Sequence, residues 1–167
     1  CGAICHAVKH GIKADLSHNE LPTEVVFGFT NKILMYANLF DCSNFAFAWD
    51  SYSSARRRIF PEYKMKRRKL KEEKTTEEKR FDRICYNQFD VIRKELVPMM
   101  GFKNSFIQGG READDIVASI VFNNNEINMV TISGDEDLWQ LIRPYHFIMS
   151  SASTRKKTTY DSFTEDY

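Results

Sequence analysis

The sequence has few cysteines and no long apolar run. Its 167 residues include four cysteines, at positions 1, 5, 42 and 85, and no Cys-x-x-Cys pair. This pattern does not indicate a disulfide scaffold or a zinc knuckle, and it fits thiols in a reducing compartment. The sequence contains no apolar stretch of about 18 residues and no charged-then-apolar leader, so we expect neither a membrane span nor a signal peptide. We therefore expect a cytoplasmic protein.

The sequence also has almost no net charge. There are 24 Lys and Arg and 23 Asp and Glu, which leave a formal charge of +1. The apolar fraction of 43% and the charged fraction of 28% exclude a disordered or collagen-like chain, and the length suits one globular domain or most of one. However, the segment from Ser54 to Arg80 holds twelve basic and five acidic residues, a local charge of +7 against −6 for the remainder. Such segregation indicates an anionic polymer as partner.

Hydrophobic periodicity predicts helices and strands that alternate along the chain. Helices are predicted at 23–40, 75–98, 112–123 and 138–141, and strands at 45–49, 105–107, 127–133 and 146–150. A loop is predicted at 155–157 and the first turn of a helix at 162–167. The alternation favours an α/β fold with a largely parallel central sheet flanked by helices.

Six acidic residues follow three of the predicted strands. They are Asp50 after the first strand, Glu112, Asp114 and Asp115 after the second, and Asp135 and Asp137 after the third. Because right-handed crossovers bring the carboxyl ends of parallel strands to one edge of a sheet, we expect these acids to converge on one crevice.

Converging carboxylates require a compensating positive charge. Two like charges about 6 Å apart repel by roughly 3 kcal/mol at an effective dielectric of about 20. All-oxygen ligands select hard cations such as Mg²⁺ or Mn²⁺. The alternative is that each acidic cluster is a solvated helix start, where Asp and Glu are favoured by capping and the helix dipole.

The basic segment interleaves cations with aromatic rings. Arg56, Arg57 and Arg58 lead into residues 60–68, which contain Phe60 and Tyr63 among Lys and Arg. A site that stacks on nucleic-acid bases and binds phosphates needs such a mixture of residues. However, a basic run is more often a solvated face. The segment begins six residues after Asp50, so we expect it near the acidic edge. Metal-binding acids beside cations are what phosphodiester cleavage requires.

Four sequence blocks together resemble the 5′-nuclease family, which includes the 5′-3′ exonuclease domain of bacterial DNA polymerase I, phage 5′ exonucleases and flap endonucleases. The blocks are Phe-Ala-Trp-Asp at 47–50, Arg56 with Pro-Glu-Tyr-Lys at 61–64 and Arg67, Gly-Arg-Glu-Ala-Asp-Asp-Ile at 110–116, and Ser-Gly-Asp-Glu-Asp at 133–137. Their order and intervals also match the family.

This resemblance implies a PIN-like (resolvase-like) core, with residues from about 64 to 95 as a helical arch that passes a single-stranded 5′ end. It implies that the acids matching the family's ligands hold two metal ions: Asp50, Glu112, Asp114, Asp115, Asp135 and Asp137. It further implies that Lys64 and Arg67 contact the scissile phosphate, that Tyr63 stacks on a nucleotide and that Arg56 supports backbone binding. Family members begin with an additional strand and continue into a helix-turn-helix-type part. Residues 1–167 thus correspond to the N-terminal part of the domain without these two elements.

The resulting expectation is a monomeric 5′-3′ exonuclease or flap endonuclease of a bacterial or phage-infected cell. It would use Mg²⁺ or Mn²⁺ in a two-metal mechanism on DNA with a 5′ end or flap, or on RNA in RNA–DNA hybrids. Two alternatives remain at this point. One is a catalytically silent nucleic-acid-binding module, and the other is a metal-dependent phosphatase that uses Asp135 and Asp137.

Overall fold

The computed structural model describes residues 4–5, 8, 16–18, 21–51, 55–151 and 157–159. The helices are α1 (Glu24–Phe40), α2 (Ala55–Ile59), α3 (Met65–Glu72), α4 (Thr76–Val91), α5 (Val97–Met99) and α6 (Ala113–Asn123). A π-helical turn (Ile92–Leu96) joins α4 to α5, and a 3-10 helix spans Glu136–Leu141. The strands are β1 (Ser17–His18), β2 (Leu21–Pro22), β3 (Phe47–Trp49), β4 (Ser105–Ile107), β5 (Met129–Ile132), β6 (His146–Met149) and β7 (Lys157–Thr158). Within the described ranges, no helix is long and apolar enough to cross a membrane.

Parallel pairing dominates the strands that carry the acidic residues. Strand β3 pairs parallel with β4, and β5 pairs parallel with β6. These pairs confirm the predicted α/β architecture. In the described part of the chain, however, the strands form separate short ladders, β1–β2, β3–β4 and β5–β6–β7.

Strand β7 differs from the sequence prediction. A loop was expected at 155–157, but Lys157 pairs antiparallel with Met149. The loop assignment is therefore wrong at Lys157, because the outer edge of β6 offers its backbone groups to this segment. The rest of the predicted loop and the helix start predicted at 162–167 lie outside the described residues.

The core forms between α1, β3 and α4. Helix α1 buries Val25, Phe29, Ile33 and Tyr36, which recur at helical spacing. The Phe29 ring lies 6.1 Å from that of Phe47 and 6.2 Å from that of Trp49. This packing holds β3 so that its carboxyl end, with Asp50, emerges at the surface.

A second cluster supports the other acidic segments. Val121 of α6 packs with Leu138 and Leu141 of the 3-10 helix and with Ile148 of β6. Helix α6 and the 3-10 helix are therefore packed against each other through this cluster. This arrangement sets where the acids at 112–115 and 135–137 stand.

Some element boundaries also differ from prediction. The strands predicted at 45–49 and 127–133 are shorter in the structure, at Phe47–Trp49 and Met129–Ile132. The helix predicted without interruption at 75–98 contains the π-helical turn. A period of 3.6 does not reveal that turn, because Ile92 and Val97, five residues apart, are both fully buried.

Candidate active site

Acids from the first two sequence blocks meet at the start of α6. Asp50 follows β3, and its Oδ1 accepts a hydrogen bond of 2.9 Å from the Ala113 backbone N–H. Glu112 is the N-cap residue of α6, and its N–H donates to Asp115 Oδ2 at 3.0 Å. These bonds satisfy backbone donors that the first helical turn leaves free. The capping role considered for these acids and their convergence are thus both present.

The loop before α6 is held against the end of β3. Gly110 N–H donates to Ser51 Oγ at 3.1 Å, and Ala55 N–H donates to the Gly110 carbonyl at 2.8 Å. Gly110 has φ +81°, which favours glycine over residues with a Cβ. Ser51 was not predicted as a site residue, because its only signal in the sequence is its position directly after Asp50.

Arg56 of α2 binds the acids at the start of α6. Its Nη1 donates to Asp115 Oδ2 at 3.0 Å and its Nη2 donates to Asp115 Oδ1 at 2.5 Å, a bidentate pair. The same guanidinium lies 3.3 Å from Glu112 Oε2. The structure thus places Arg56 beside carboxylates that the sequence analysis regarded as metal ligands.

Tyr63 and Lys64 bind the other carboxylate of this pair. The Tyr63 hydroxyl and the Lys64 ammonium each donate to Glu112 Oε2 at 2.9 Å. The Lys64 Nζ also lies 5.1 Å from the centroid of the Tyr63 ring. Lys64 has φ 56° and ψ 26°, the left-handed region, which a residue with a long side chain rarely adopts. Helix α3 begins at the next residue, so its N-terminus lies beside Glu112.

These contacts determine the protonation of Glu112 and Asp115. Burial alone would raise the pKa of Glu112, but hydrogen bonds from Lys64 and Tyr63 and the charge of Arg56 lower it below its ordinary value. Burial would likewise raise the pKa of Asp115, but the bonds from Arg56 and from the Glu112 N–H lower it. Both side chains are therefore carboxylates at neutral pH.

Asp114 shows the opposite behaviour. Burial, followed by the negative charges of Asp135 and Asp50, raises the pKa of Asp114 above its ordinary value. Asp135 of the third acidic block therefore lies close enough for its charge to act on Asp114. In this part of the site, like charges face each other.

The two acids of the third block start the 3-10 helix. Asp135 is its N-cap residue and accepts the Asp137 N–H at 3.1 Å, while its own N–H donates to Ser133 Oγ at 3.1 Å. Both acidic side chains are exposed. Arg67, another predicted site residue, is exposed in the first turn of α3, three positions after Lys64.

The site thus has two parts with different charge balance. Glu112 and Asp115 are neutralised by Arg56 and Lys64, whereas Asp114 experiences the negative charges of Asp135 and Asp50. Among the described residues, no three His, Cys, Asp or Glu side chains already stand together as ligands of one ion. The oxygen donors and the repulsion around Asp114 nevertheless fit a hard divalent cation.

Comparisons with known proteins agree with this arrangement. Residues 5–167 match the family described as 5′-3′ exonuclease, N-terminal resolvase-like domain. The DNA polymerase I of Caldicellulosiruptor bescii is 29% identical over 149 residues, which cover 87% of this chain and 16% of the polymerase.

Two solved structures share the fold. T5 5′-exonuclease with bound divalent metal ions (zinc) superposes with a TM-score of 0.78 at 21% identity, covering 98% of this chain and 57% of that one. A pseudo-enzyme-product complex of bacteriophage T5 D15 flap endonuclease with DNA and metal ions gives a TM-score of 0.76 at 22% identity, covering 96% and 57%. The chain therefore spans little more than half the length of these phage proteins and a much smaller share of the polymerase. With nearly its whole length matched, the chain belongs to the 5′-3′ exonuclease N-terminal resolvase-like domain family.

Proposed function

We propose that the chain is the nuclease core of a 5′-3′ exonuclease or flap endonuclease. It would hydrolyse phosphodiester bonds near the 5′ end or flap of DNA, or of RNA in a hybrid. The observation that carries this proposal is the start of α6, where Asp50 caps the Ala113 N–H, Arg56 and Lys64 contact Glu112, and the charges of Asp135 and Asp50 act on Asp114. The family match and the related phage proteins with bound metals and DNA support it.

The six acids are proposed to hold two Mg²⁺ or Mn²⁺ ions. Asp50, Asp114 and Asp135 are the first candidates, because among the described residues no cation pairs with them. Glu112, Asp115 and Asp137 would complete the ligand set. Such ions, when bound, activate water and stabilise the charge of the departing oxygen.

The arch side chains are proposed to position the substrate. The Lys64 ammonium lies 2.9 Å from Glu112, so it reaches the acidic edge, and a phosphate held there would be within its range. Arg67, exposed in the first turn of α3, would hold the same or the adjacent phosphate. Tyr63 offers its ring for stacking on a base. Arg56 would support backbone binding only after it leaves Asp115.

The decisive experiment is cleavage of a labelled 5′-flap duplex by this chain with Mg²⁺ or Mn²⁺. We expect strand scission that stops in EDTA, and we expect Asp135→Asn and Lys64→Ala to reduce the rate by at least about a hundredfold. Lys103→Ala, at an exposed lysine away from the site, serves as the control. Scission that continues in EDTA would overturn the proposal.

A silent nucleic-acid-binding module is the second candidate. Two of the six acids, Glu112 and Asp115, form ion pairs with Lys64 and Arg56, and the described residues hold no complete metal site. Such a module would bind flap DNA with affinity that falls steeply with salt, and it would cleave nothing at any metal concentration. The same assay with a binding measurement beside it separates the two functions.

A further inference from the structure

Three exposed apolar side chains and one arginine lie at the amino ends of β5 and β6. Phe122 in the last turn of α6, Ile127 before β5 and Tyr145 before β6 are 55%, 56% and 56% exposed. Arg143 stands at the start of the turn that contains Tyr145, and its Cζ lies 4.3 Å from the centroid of the Phe122 ring. These four residues are called the Arg143 surface below.

Backbone hydrogen bonds hold the loops of the Arg143 surface in place. Arg143 and His146 exchange two bonds, of 3.1 and 3.0 Å, which close the turn that carries Tyr145. The Met129 N–H donates to the Tyr145 carbonyl at 2.8 Å, so this turn is joined to the start of β5. The surface is therefore formed before any partner arrives, which reduces the entropy lost on binding.

The charge of Arg143 is not balanced within the described part of the chain. No carboxylate among the described residues forms an ion pair with it, whereas Arg93 and Lys94 both pair with Asp90. Its Nε is buried and has no hydrogen-bond partner there. Stacking on Phe122 limits the orientations of the planar guanidinium, which favours a two-point contact with a carboxylate.

The chemistry of the Arg143 surface suits a protein segment that carries a carboxylate beside apolar side chains. Aromatic residues and Arg are enriched at protein–protein contacts and contribute much of the binding energy there. A nucleic-acid backbone is held by several Lys and Arg side chains together, and this surface has one cation. Glu126 is exposed in the loop before Ile127, so a polyanion would meet a repelling charge. We propose that the Arg143 surface docks an acidic, apolar peptide segment of a partner protein.

The Arg143 surface is separated from the acids by the length of two elements. Strand β5 has four residues and spans roughly 13 Å at about 3.3 Å per residue. Helix α6 has 11 residues and spans roughly 16 Å at about 1.5 Å per residue. A segment docked at this surface therefore leaves Asp135 and the start of α6 accessible. The proposal consequently goes beyond the nuclease function and does not rest on it.

A peptide titration followed by NMR tests the proposal, with the ¹⁵N-labelled chain in EDTA. The probe is the peptide acetyl-Leu-Asp-Phe-Leu-amide, and the control peptide has Asn in place of Asp. We expect the Asp peptide to shift the backbone amide signals of residues 122–128 and 143–146. It should bind about tenfold more tightly than the Asn peptide, which lacks the charge for the guanidinium.

Variants of the chain test which side chains are responsible. Arg143→Gln should weaken binding of the Asp peptide about tenfold and leave binding of the Asn peptide unchanged. Phe122→Leu, at an exposed position where the fold tolerates the change, should weaken binding of both peptides, because the ring is lost. Arg57→Gln removes the same charge from the exposed side of α2 and should bind both peptides as the wild type does. The amide spectrum of each variant shows whether its fold is retained.

Three results would overturn the proposal. The first is equal affinity for the Asp and Asn peptides, or no binding of either at millimolar concentration. The second is a set of shifts confined to residues outside the Arg143 surface, or the same shifts produced by duplex DNA. The third is self-association of the chain in sedimentation that Phe122→Leu abolishes, because the occupant would then be a second copy. None of these measurements requires cleavage, so a failure of the nuclease proposal would be seen separately.

Discussion

Asp114 is a carboxylate whose surroundings oppose its charge. Because burial and the charges of Asp135 and Asp50 raise its pKa, its ionised form destabilises the metal-free fold at neutral pH. We expect Asp114→Asn to increase the free energy of unfolding by about 1 kcal/mol at pH 7, as measured by urea denaturation.

The stability that Asp114→Asn gains over the wild type should become smaller as the pH falls. A raised pKa in the folded state means that the wild-type carboxyl is least unfavourable below its ordinary pKa, where it is protonated in both states. At about pH 4 the variant and the wild type should therefore be closer in stability. Asp137→Asn, at an exposed carboxylate, should change little at either pH. A variant that is less stable than the wild type at pH 7 would contradict this interpretation.

The Arg56–Asp115 pair has the opposite effect on stability, because the ionised form of Asp115 stabilises the fold. Since Arg56 helps to lower the pKa of Asp115, the carboxylate contributes stability above its ordinary pKa, and this contribution is lost as pH falls through the lowered value. We expect Arg56→Gln to reduce the free energy of unfolding by about 1 kcal/mol at pH 7, because the guanidinium is partly exposed.

The loss should disappear at acidic pH, where Asp115 is neutral with or without Arg56. Arg57→Gln, on the exposed side of the same helix, provides the matched control and should cost little at any pH. Carboxyl chemical shifts in NMR should show the Asp115 titration moved to higher pH in Arg56→Gln. An unchanged titration would contradict the pairing.

The sequence predicted that Asp50 lies beside the start of α6, but not how the acids there are neutralised. Strand ends and parallel topology are enough to bring Asp50 and Asp114 to one edge. The pairing of Arg56 with Asp115 joins residues 59 positions apart and depends on where α2 lies. No periodicity in the sequence contains that information.

Among the helices, α4 is joined to α1 by hydrogen bonds of a buried amide, Gln88. Gln88 Oε1 accepts the Val25 N–H at 2.9 Å, and its Nε2 donates to Glu24 at 3.1 Å. We expect Gln88→Met, which keeps the shape and removes the acceptor, to lower the free energy of unfolding by about 1 to 3 kcal/mol, because the Val25 N–H stays buried without a partner.

Thermal or urea unfolding measures this effect, with Gln108→Met as the control. Gln108 is exposed in the loop after β4, so the same change there should alter stability by less than about 0.5 kcal/mol. Equal stabilities of the two variants would show that the Gln88 side chain contributes nothing to the attachment of α4 to α1.

The start of α4 is a feature that the local sequence is sufficient to predict. From the sequence alone, Thr75 or Thr76 is the expected cap residue of this helix, with Glu78 or Lys79 downstream. In the structure Thr75 Oγ1 accepts the Glu78 N–H at 3.2 Å, and the Glu78 carboxylate accepts the Thr75 N–H at 2.8 Å. Because a capping box is a pattern of four consecutive residues, it can be predicted from the sequence. The partner of α4, by contrast, lies more than sixty positions away.

For the whole molecule, the charge map and the acid cluster predict a response to divalent cations. A ligand that binds the folded state alone stabilises it by mass action. We expect millimolar Mg²⁺ to raise the midpoint of thermal unfolding of this chain by a few degrees, and to raise that of Asp114→Asn less. Calcium would control for general ionic effects, since it prefers more ligands in a looser geometry. No shift with Mg²⁺ or Mn²⁺ would count against a metal site.

The overall architecture was largely predictable because alternating helices and strands allow few topologies. The parallel pairs β3–β4 and β5–β6 follow from that rule. The antiparallel strand β7 does not, because a two-residue strand has no periodicity to detect. What the sequence could not supply was therefore the short pairing and the side-chain partners across the fold.

The π-helical turn between α4 and α5 also bears on how this chain tolerates change in length. Its wider winding holds one residue more than an α-helical turn of equal height. Ile92 and Val97 both face the interior because of that extra residue. A chain shortened by one at Lys94, which is exposed, would wind as ordinary α-helix and keep both side chains inside. We therefore expect the segment from α4 to β4 to accept a single-residue deletion in this turn with no shift in the register of β4.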